Sequence, residues 1–277
     1  MAETNLEAGY LNGDTKVFYI KDRPDKTFEA HYHNFHKLLI LISGDLTYAI
    51  EGQQYRPEPG DILLVPAGEV HQPKVRNTSD YERIIFYISQ EFLDAWSRKN
   101  KFLVQPFELA ASQKKHLLQF REPMKGNLQH IYQELIGSFD QKEDSSMELY
   151  RQLKLLELLL LIARPLQFGA IYRPMAESVN PLVQKALEYI HEHLQDQDIS
   201  IDKISGELHI TRTYLMHIFK DETGYSVIQY IIEKRLFLTT SLIRSGLSVK
   251  EACQQSGFKN YAAYYHAQKR YNEKMKG

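Results

Sequence analysis

Four residues in the first third of the chain combine side-chain types and spacing that can do chemistry. They are His31 and His33 on either side of Tyr32, Lys37 four residues on, and His71 behind the turn Pro66-Ala67-Gly68. Imidazoles in such a group can ligate a divalent ion, satisfy one another's surroundings as internal hydrogen-bonding groups, or line a small-molecule pocket. With the ammonium of Lys37 beside them, the pocket would suit a polyhydroxyl or anionic ligand. All three readings stay open on the residues alone. Two further groups lie near the other end: Arg212, Thr213, Met216, His217 and Lys220, then Tyr261, Ala262, Tyr265, His266 and Lys269. Each mixes cations, hydrogen-bonding groups and apolar side chains, the set that meets phosphates and base edges of duplex DNA. A nucleophile with a base at recognisable spacing, a phosphate-cradling glycine loop and a CxxC pair are all missing from the sequence.

The elements that must hold these groups fall into two kinds. Up to about residue 90, short runs alternate apolar and polar residues: Lys37–Ile42, Leu46–Ile50, Ile62–Val65 and Arg83–Ile88. Turn chemistry separates them at Ser43-Gly44-Asp45, Glu51-Gly52, Pro57-Glu58-Pro59-Gly60-Asp61, Pro66-Ala67-Gly68 and Arg76-Asn77-Thr78-Ser79-Asp80. Strands so short and closely spaced predict a small barrel or sandwich. Near Phe92 the period changes, and Asn127–Phe139 and Met147–Ala163 read as helices. The second carries Leu149, Leu153, Leu156 and Leu160 beside Leu155, Leu159 and Ile162, so it should be covered on most sides, by its own β-domain or by a copy of itself. Arg164-Pro165 is expected to stop it, and Arg173–Pro181 reads as a linker.

After Pro181 everything reads as helix. Val183, Leu187, Ile190 and Leu194 make one apolar stripe. Ser200 is a natural N-cap for a helix burying Ile201, Ile204 and Leu208, and Thr211 for one burying Leu215, Ile218 and Phe219 and ending at Gly224. A short helix, a tight turn and a second helix with a polar outer face is helix-turn-helix geometry. The pattern recurs: Ser248 caps Val249–Ser256, Gly257-Phe258 turns the chain, and Asn260 caps Tyr261–Tyr271. One helix of about Val227 to Arg244 separates the units, and at 1.5 Å per residue its length of roughly 27 Å suits recognition helices about one DNA turn apart.

At these positions the C-terminal segment resembles the DNA-binding domain of the AraC/XylS regulators. The resemblance rests on Leu215, Phe219, Lys220 and Gly224, on Thr223-Gly224-Tyr225-Ser226, on Arg235-Leu236 with Leu242–Ser245, and on Gly257-Phe258. It implies that Thr213, Met216 and His217 face bases in one groove, and Tyr261, Ala262, Tyr265 and His266 in the next. Departures are Ser205-Gly206 in the leading helix, Gln268 at an aromatic core position, Cys253 where alanine is usual, and no family-type close before Gly277. The β-domain resembles a cupin: an HxH pair, a ligand position four residues on, Gly44 seven beyond it, and a third histidine. In metal-binding cupins that ligand position is Glu. Here it is Lys37, whose ammonium would repel a cation, while the adjacent His36 should point to the other face of its strand.

The 277 residues carry 34 Lys+Arg against 35 Asp+Glu, a net charge of −1. From Asn180 onward thirteen basic face eleven acidic residues, a slight positive bias that suits a polyanion partner. A single cysteine excludes an internal disulfide framework. No apolar run reaches the length of a membrane span, and the first residues lack a signal-peptide pattern, so a cytoplasmic protein is expected. The expected fold class is α+β in two domains. These are a cupin-like effector-binding and dimerisation barrel over 1–165, a linker over 166–180, and an all-α double helix-turn-helix domain over 181–277. The function expected from the resemblance is a sequence-specific, bacterial-type transcription regulator, not an enzyme. It would answer to a small-molecule effector, a sugar by family analogy, bound by His31, His33, Lys37 and His71. Expected partners are operator DNA, a second copy of the chain and RNA polymerase. No metal or other cofactor is assigned. The alternative is a metal-dependent cupin enzyme with an appended helical domain.

Overall fold

A computed structural model describes residues 11, 13–23, 28–76, 80–120, 122–142, 144–167, 176–177 and 180–276. The turn at 77–79 and most of the expected linker lie outside the described residues. The chain divides into two compact units, one within 1–50 and 54–177, the other within 51–53 and 178–277.

The first unit is built on seven principal strands: β1 (Thr15–Asp22), β2 (His36–Ser43), β3 (Leu46–Ile50), β4 (Gln53–Tyr55), β5 (Ile62–Val65), β6 (His71–Val75) and β7 (Tyr81–Ile88). Two-residue strands β8 (Leu117–Leu118) and β9 (Ala176–Glu177) extend the sheets to the orders β1-β7-β2-β5-β8 and β6-β3-β4-β9. Helices α1 (Gln90–Ser97), α2 (Gln105–Gln113), α3 (Met124–Ser138) and α4 (Ser145–Gln167) follow β7. Strand β2 reads His-Lys-Leu-Leu-Ile-Leu-Ile-Ser and is buried on both faces, not on alternate residues. The reason is the helices. Leu38 and Ile40 join Ile84 and Phe86 of β7 in a core with Phe92, Phe107, Leu135 and Leu159. On the other face, Leu39 and Leu41 meet Tyr48 and Ile50 of β3 between the sheets. A strand covered on both faces loses its polar alternation. Each large side chain so buried contributes about 1.5–3 kcal/mol.

Helix α4 departs from expectation twice. It continues through Pro165 to Gln167, because a proline this close to a C-terminus removes a single intrahelical donor and the remaining turn still closes. It is also covered on one side only: Leu155, Leu158, Leu159 and Ile162 are fully buried, whereas Leu149, Leu153 and Leu160 are 56%, 55% and 39% exposed.

The second unit holds α5 (Pro181–Glu192), α6 (Ile201–Glu207), α7 (Arg212–Thr223), α8 (Val227–Arg244), α9 (Val249–Gln255) and α10 (Tyr261–Lys276). Its caps are local and chemical. Ser200, Thr211, Ser226 and Ser248 each accept a backbone N–H from the third residue of the helix they open, and Ser248 with Glu251 completes a capping box. Asn180 caps α5, whose first position is taken by Pro181, and Asn260 accepts the N–H of Ala263 at 2.9 Å to start α10. Gly224 ends α7 at φ 76°, a left-handed residue that satisfies the helix's last carbonyls. Helix α10 runs past Tyr271 to Lys276, since nothing in Asn272-Glu273-Lys274 breaks it.

Candidate functional site

In the first unit, β2 and its neighbours set a polar cluster into an apolar interior. An isolated antiparallel bridge joins His31 to His71, with exchanged backbone bonds of 3.1 and 2.8 Å, so the two side chains stand side by side. His33 lies two residues on, on the same side of the extended chain. Ring centroids are 4.4 Å apart for His31–His71 and 4.7 Å for His33–His71. Each Nδ1 meets a main-chain oxygen: His31 that of Glu29 at 2.9 Å, His33 that of Phe35 at 2.9 Å, His71 that of Glu69 at 3.0 Å. A carbonyl can only accept, so each Nδ1 carries the proton and each Nε2 keeps its lone pair. The Nε2 atoms of His33 and His71 are buried with no hydrogen-bond partner among the described residues.

Lys37 is 6% exposed and donates to the Tyr48 hydroxyl at 2.9 Å. The Tyr48 ring lies parallel to His71 at 5.9 Å, Phe35 stacks on His33 at 3.9 Å, and Tyr87 stands opposite Lys37 in the β2–β7 register. Burial, with the Arg83 guanidinium second, brings the Lys37 ammonium down to about 7. Burial also pulls His33 and His71 well below the usual imidazole value, and the neighbouring cationic groups add to it. The structure thus brings His31, His33, Lys37 and His71 together. Next to Lys37, His36 points the other way: its Nε2 donates to Gln90 Oε1 at 2.8 Å, and its ring packs edge-on against Phe107 of α2. Tyr48 and Tyr87 were not readable in the sequence, because only the pairing of β2 with β7 and the approach of β3 bring them to the cluster, and Phe35, two residues from His33, joins by stacking on its ring.

In the second unit, α7 buries Leu215, Ile218 and Phe219 and leaves Arg212, Thr213, Met216, His217 and Lys220 exposed. Tyr214 is also exposed, at 48%. Arg212 pairs with Asp202 at 3.1 Å and His217 with Asp221 at 2.8 Å, in exposed positions where such pairs contribute little and are readily exchanged for a phosphate. On α10, Tyr261, Ala262, Tyr265, His266 and Lys269 are exposed, while Ala267 is buried with Phe258, Cys253 and Leu236. Gln268 stays half-buried outside that cluster, which is correspondingly small.

Arg235 links the two helix pairs. It is 9% exposed and donates to the carbonyls of Leu194 at 2.9 Å and Asp196 at 2.7 Å, tying the middle of α8 to the connection that precedes α6. Gly257 closes against the same place: a Cβ there would lie 2.6 Å from the Leu194 oxygen and 2.9 Å from Arg235 Nε. Thr239 and Ser256 complete the joint with a buried hydroxyl pair at 2.6 Å.

A polar cluster inside a β-rich unit and two helix pairs with exposed outer faces on a helical unit are the frame of a DNA-binding transcription regulator with a ligand-binding domain. Comparison with known families agrees on both parts. Residues 16–159 match the AraC-like ligand binding domain and residues 204–274 a helix-turn-helix domain. The chain belongs to the AraC/XylS family of transcription regulators. It is 28% identical over 214 residues to the arabinose operon regulatory protein of Salmonella typhimurium, covering 74% of this chain and 70% of that one. The HTH-type transcriptional activator RhaS of Shigella sonnei is 22% identical over 253 residues, covering 90% and 86%. Among solved structures, ToxT from Vibrio cholerae aligns with 93% of this chain and 94% of its own at 14% identity and a TM-score of 0.37. These relatives and domains are regulators and not enzymes, which sets aside the cupin-enzyme alternative.

Proposed function

We propose that the chain is an effector-responsive regulator in which a small molecule binds beside His31, His33, Lys37 and His71 and alters operator binding. In this reading the effector domain spans 1–165, the linker 166–180 and the DNA-binding domain 181–277. The observation that carries it is the polar cluster itself: His33, Lys37 and His71 are buried, with His31 half-buried beside them, against the rings of Phe35, Tyr48 and Tyr87. Burying a polar group costs stability where a hydrogen-bonding atom is left unpaired, as at Nε2 of His33 and His71 among the described residues. The relatives named for an arabinose operon make carbohydrates the first effectors to test. Arg212, Thr213, Met216, His217 and Lys220 would meet one major groove, and Tyr261, Ala262, Tyr265, His266 and Lys269 the next. The exposed Leu149, Leu153 and Leu160 of α4 favour pairing with a second copy of the chain. Such a dimer would act in the cytoplasm and engage RNA polymerase at its promoter.

An effector can shift the equilibrium only by its differential affinity for two states. The test is operator affinity, measured at fixed salt with and without a panel of pentoses, hexoses and sugar acids. An effector should change affinity by about 5–150-fold, and Lys37→Met should abolish the change while leaving effector-free DNA binding intact. A panel-wide absence of any shift, or an undiminished shift in Lys37→Met, contradicts the proposed site.

A further inference from the structure

Lys37 is an amine placed where an ammonium is costly. Its side chain lies inside the β-rich unit, between Val65 of β5 and Tyr87 of β7 in strand register. Among the described residues no carboxylate pairs with it, and its hydrogen bond goes to the Tyr48 hydroxyl of β3 at 2.9 Å. The charged neighbour that acts on it is the Arg83 guanidinium of β7, of the same sign, and the remaining polar groups of the cluster, His33 and His71, are held neutral. A buried cation without a counter-ion is destabilised, and a like charge adds to that. Both effects favour the free base, and at about 7 a large share of the side chain is uncharged near neutral pH. A lysine desolvated in this way is the kind of nucleophile that condenses with carbonyl compounds.

The groups around the amine supply the rest of what such a condensation needs. Burial holds the Tyr48 phenol well above its usual value, so it keeps a proton to deliver beside Nζ. The Nε2 atoms of His33 and His71, buried and without a hydrogen-bond partner among the described residues, can only accept. Acceptors of that kind select hydroxyl groups over carboxylates. We infer that Lys37, with Tyr48 as proton donor, captures a hydroxylated aldehyde or ketone as a reversible imine. The Nζ lone pair adds to the carbonyl carbon, the C=O π pair moves to oxygen, and one nitrogen proton passes to that oxygen. The hydroxyl then leaves as water with the Tyr48 proton, the nitrogen lone pair forms the C=N bond, and the second nitrogen proton returns to Tyr48. One amine and one carbonyl give one imine and one water, with no oxidant or reductant. This inference rests on the proposed effector site and names the chemical class that the site takes.

The test incubates the full-length protein with glyceraldehyde and sodium cyanoborohydride, which reduces an imine to a stable secondary amine, and maps the label by peptide mass spectrometry. Near neutral pH the expected result is close to one label per chain on Lys37, with the exposed Lys185 of α5 below a tenth of that. The labelling rate of Lys37 should be half-maximal at about pH 7 and level off above it. An amine in water would keep climbing toward about 10.4. Tyr48→Phe keeps the amine and should slow labelling at least tenfold, with circular dichroism checking its fold. Should that variant not fold, the wild-type map and its pH profile decide. Lys37 labelled no faster than Lys185, a profile that keeps climbing, or undiminished labelling of folded Tyr48→Phe overturns the inference. So does an effector sugar whose methyl glycoside, with no free carbonyl, shifts operator affinity as much as the sugar itself, a result that leaves the effector site standing. Specific label on Lys37 with no shift in operator affinity from any compound upholds the imine and sinks the effector reading.

Discussion

His36 shows how one strand position decides the chemistry of a side chain. Its Nε2 donates to Gln90 and its Nδ1 accepts from the N–H of Ala67, so the fold holds it neutral. Burial lowers its pKa below the ordinary 6.5, against the smaller upward pull of Gln90 and Asp94. In the unfolded chain it protonates near 6.5. The stability this provides is therefore whole above about pH 6.5 and is lost as pH falls below that value toward the folded pKa. The melting temperature of His36→Gln should consequently fall less steeply than that of the wild-type chain between about pH 6.5 and 5.5; parallel slopes would contradict it. Gly257 is a second case. At φ 87° and with the Leu194 carbonyl 2.6 Å from any added Cβ, it leaves an alanine no space that does not displace backbone. Gly257→Ala should cost about 2–3 kcal/mol in urea denaturation of the helical unit, with a change under 0.5 kcal/mol contradicting the packing described. At this scale the histidines were legible because their spacing along the chain is the signal. Tyr48 and Tyr87 were not, because strand register is not written in local sequence.

Elements were legible where their ends are chemical. Ser200, Thr211, Ser248 and Asn260 cap the helices expected of them, and α8 spans Val227–Arg244 as its apolar period implied. Thr211→Ala removes the acceptor for the Tyr214 N–H and should destabilise the helical unit by about 1 kcal/mol. Thr211→Ser should recover most of it, and equal losses in both variants would show that the methyl, not the hydroxyl, matters. Strands β1 and β6 and helices α1 and α2 were not expected. β6 is five residues with Pro73 at its centre, and β1 pairs along its whole length with β7 alone, an edge position where pattern is weak. The end of α4 was misread because a proline was given the weight it has in a helix interior.

For the whole molecule, the division of labour between a β-rich ligand-binding unit and a helical DNA-binding unit was readable from the short strands and turns before Phe92 and from the doubled cap-turn-cap pattern after Pro181. The first helix-turn-helix unit buries Leu215, Ile218 and Phe219 together with α5 and α8, and the second rests on a cluster of four buried side chains, Leu236, Cys253, Phe258 and Ala267. With few Arg, Asn or Gln side chains on either outward face, base discrimination under the proposed function would fall to His217, His266 and the exposed tyrosines, and to DNA shape. His217→Ala and His266→Ala should therefore alter preference in different halves of the site. A uniform loss across all sequences would mark both as backbone contacts.

Under the proposed function, α7 and α10 both read DNA in sequence-specific fashion. Selection of binding sites from random duplex by the purified full-length protein, at low salt and with the effector panel present, tests it most directly. The prediction is an enriched site with two conserved segments about one helical turn apart, the one read by α7 more strictly conserved than the one read by α10. Recovery of unenriched sequence under every condition would contradict sequence-specific binding, and a single conserved segment would contradict reading by α10.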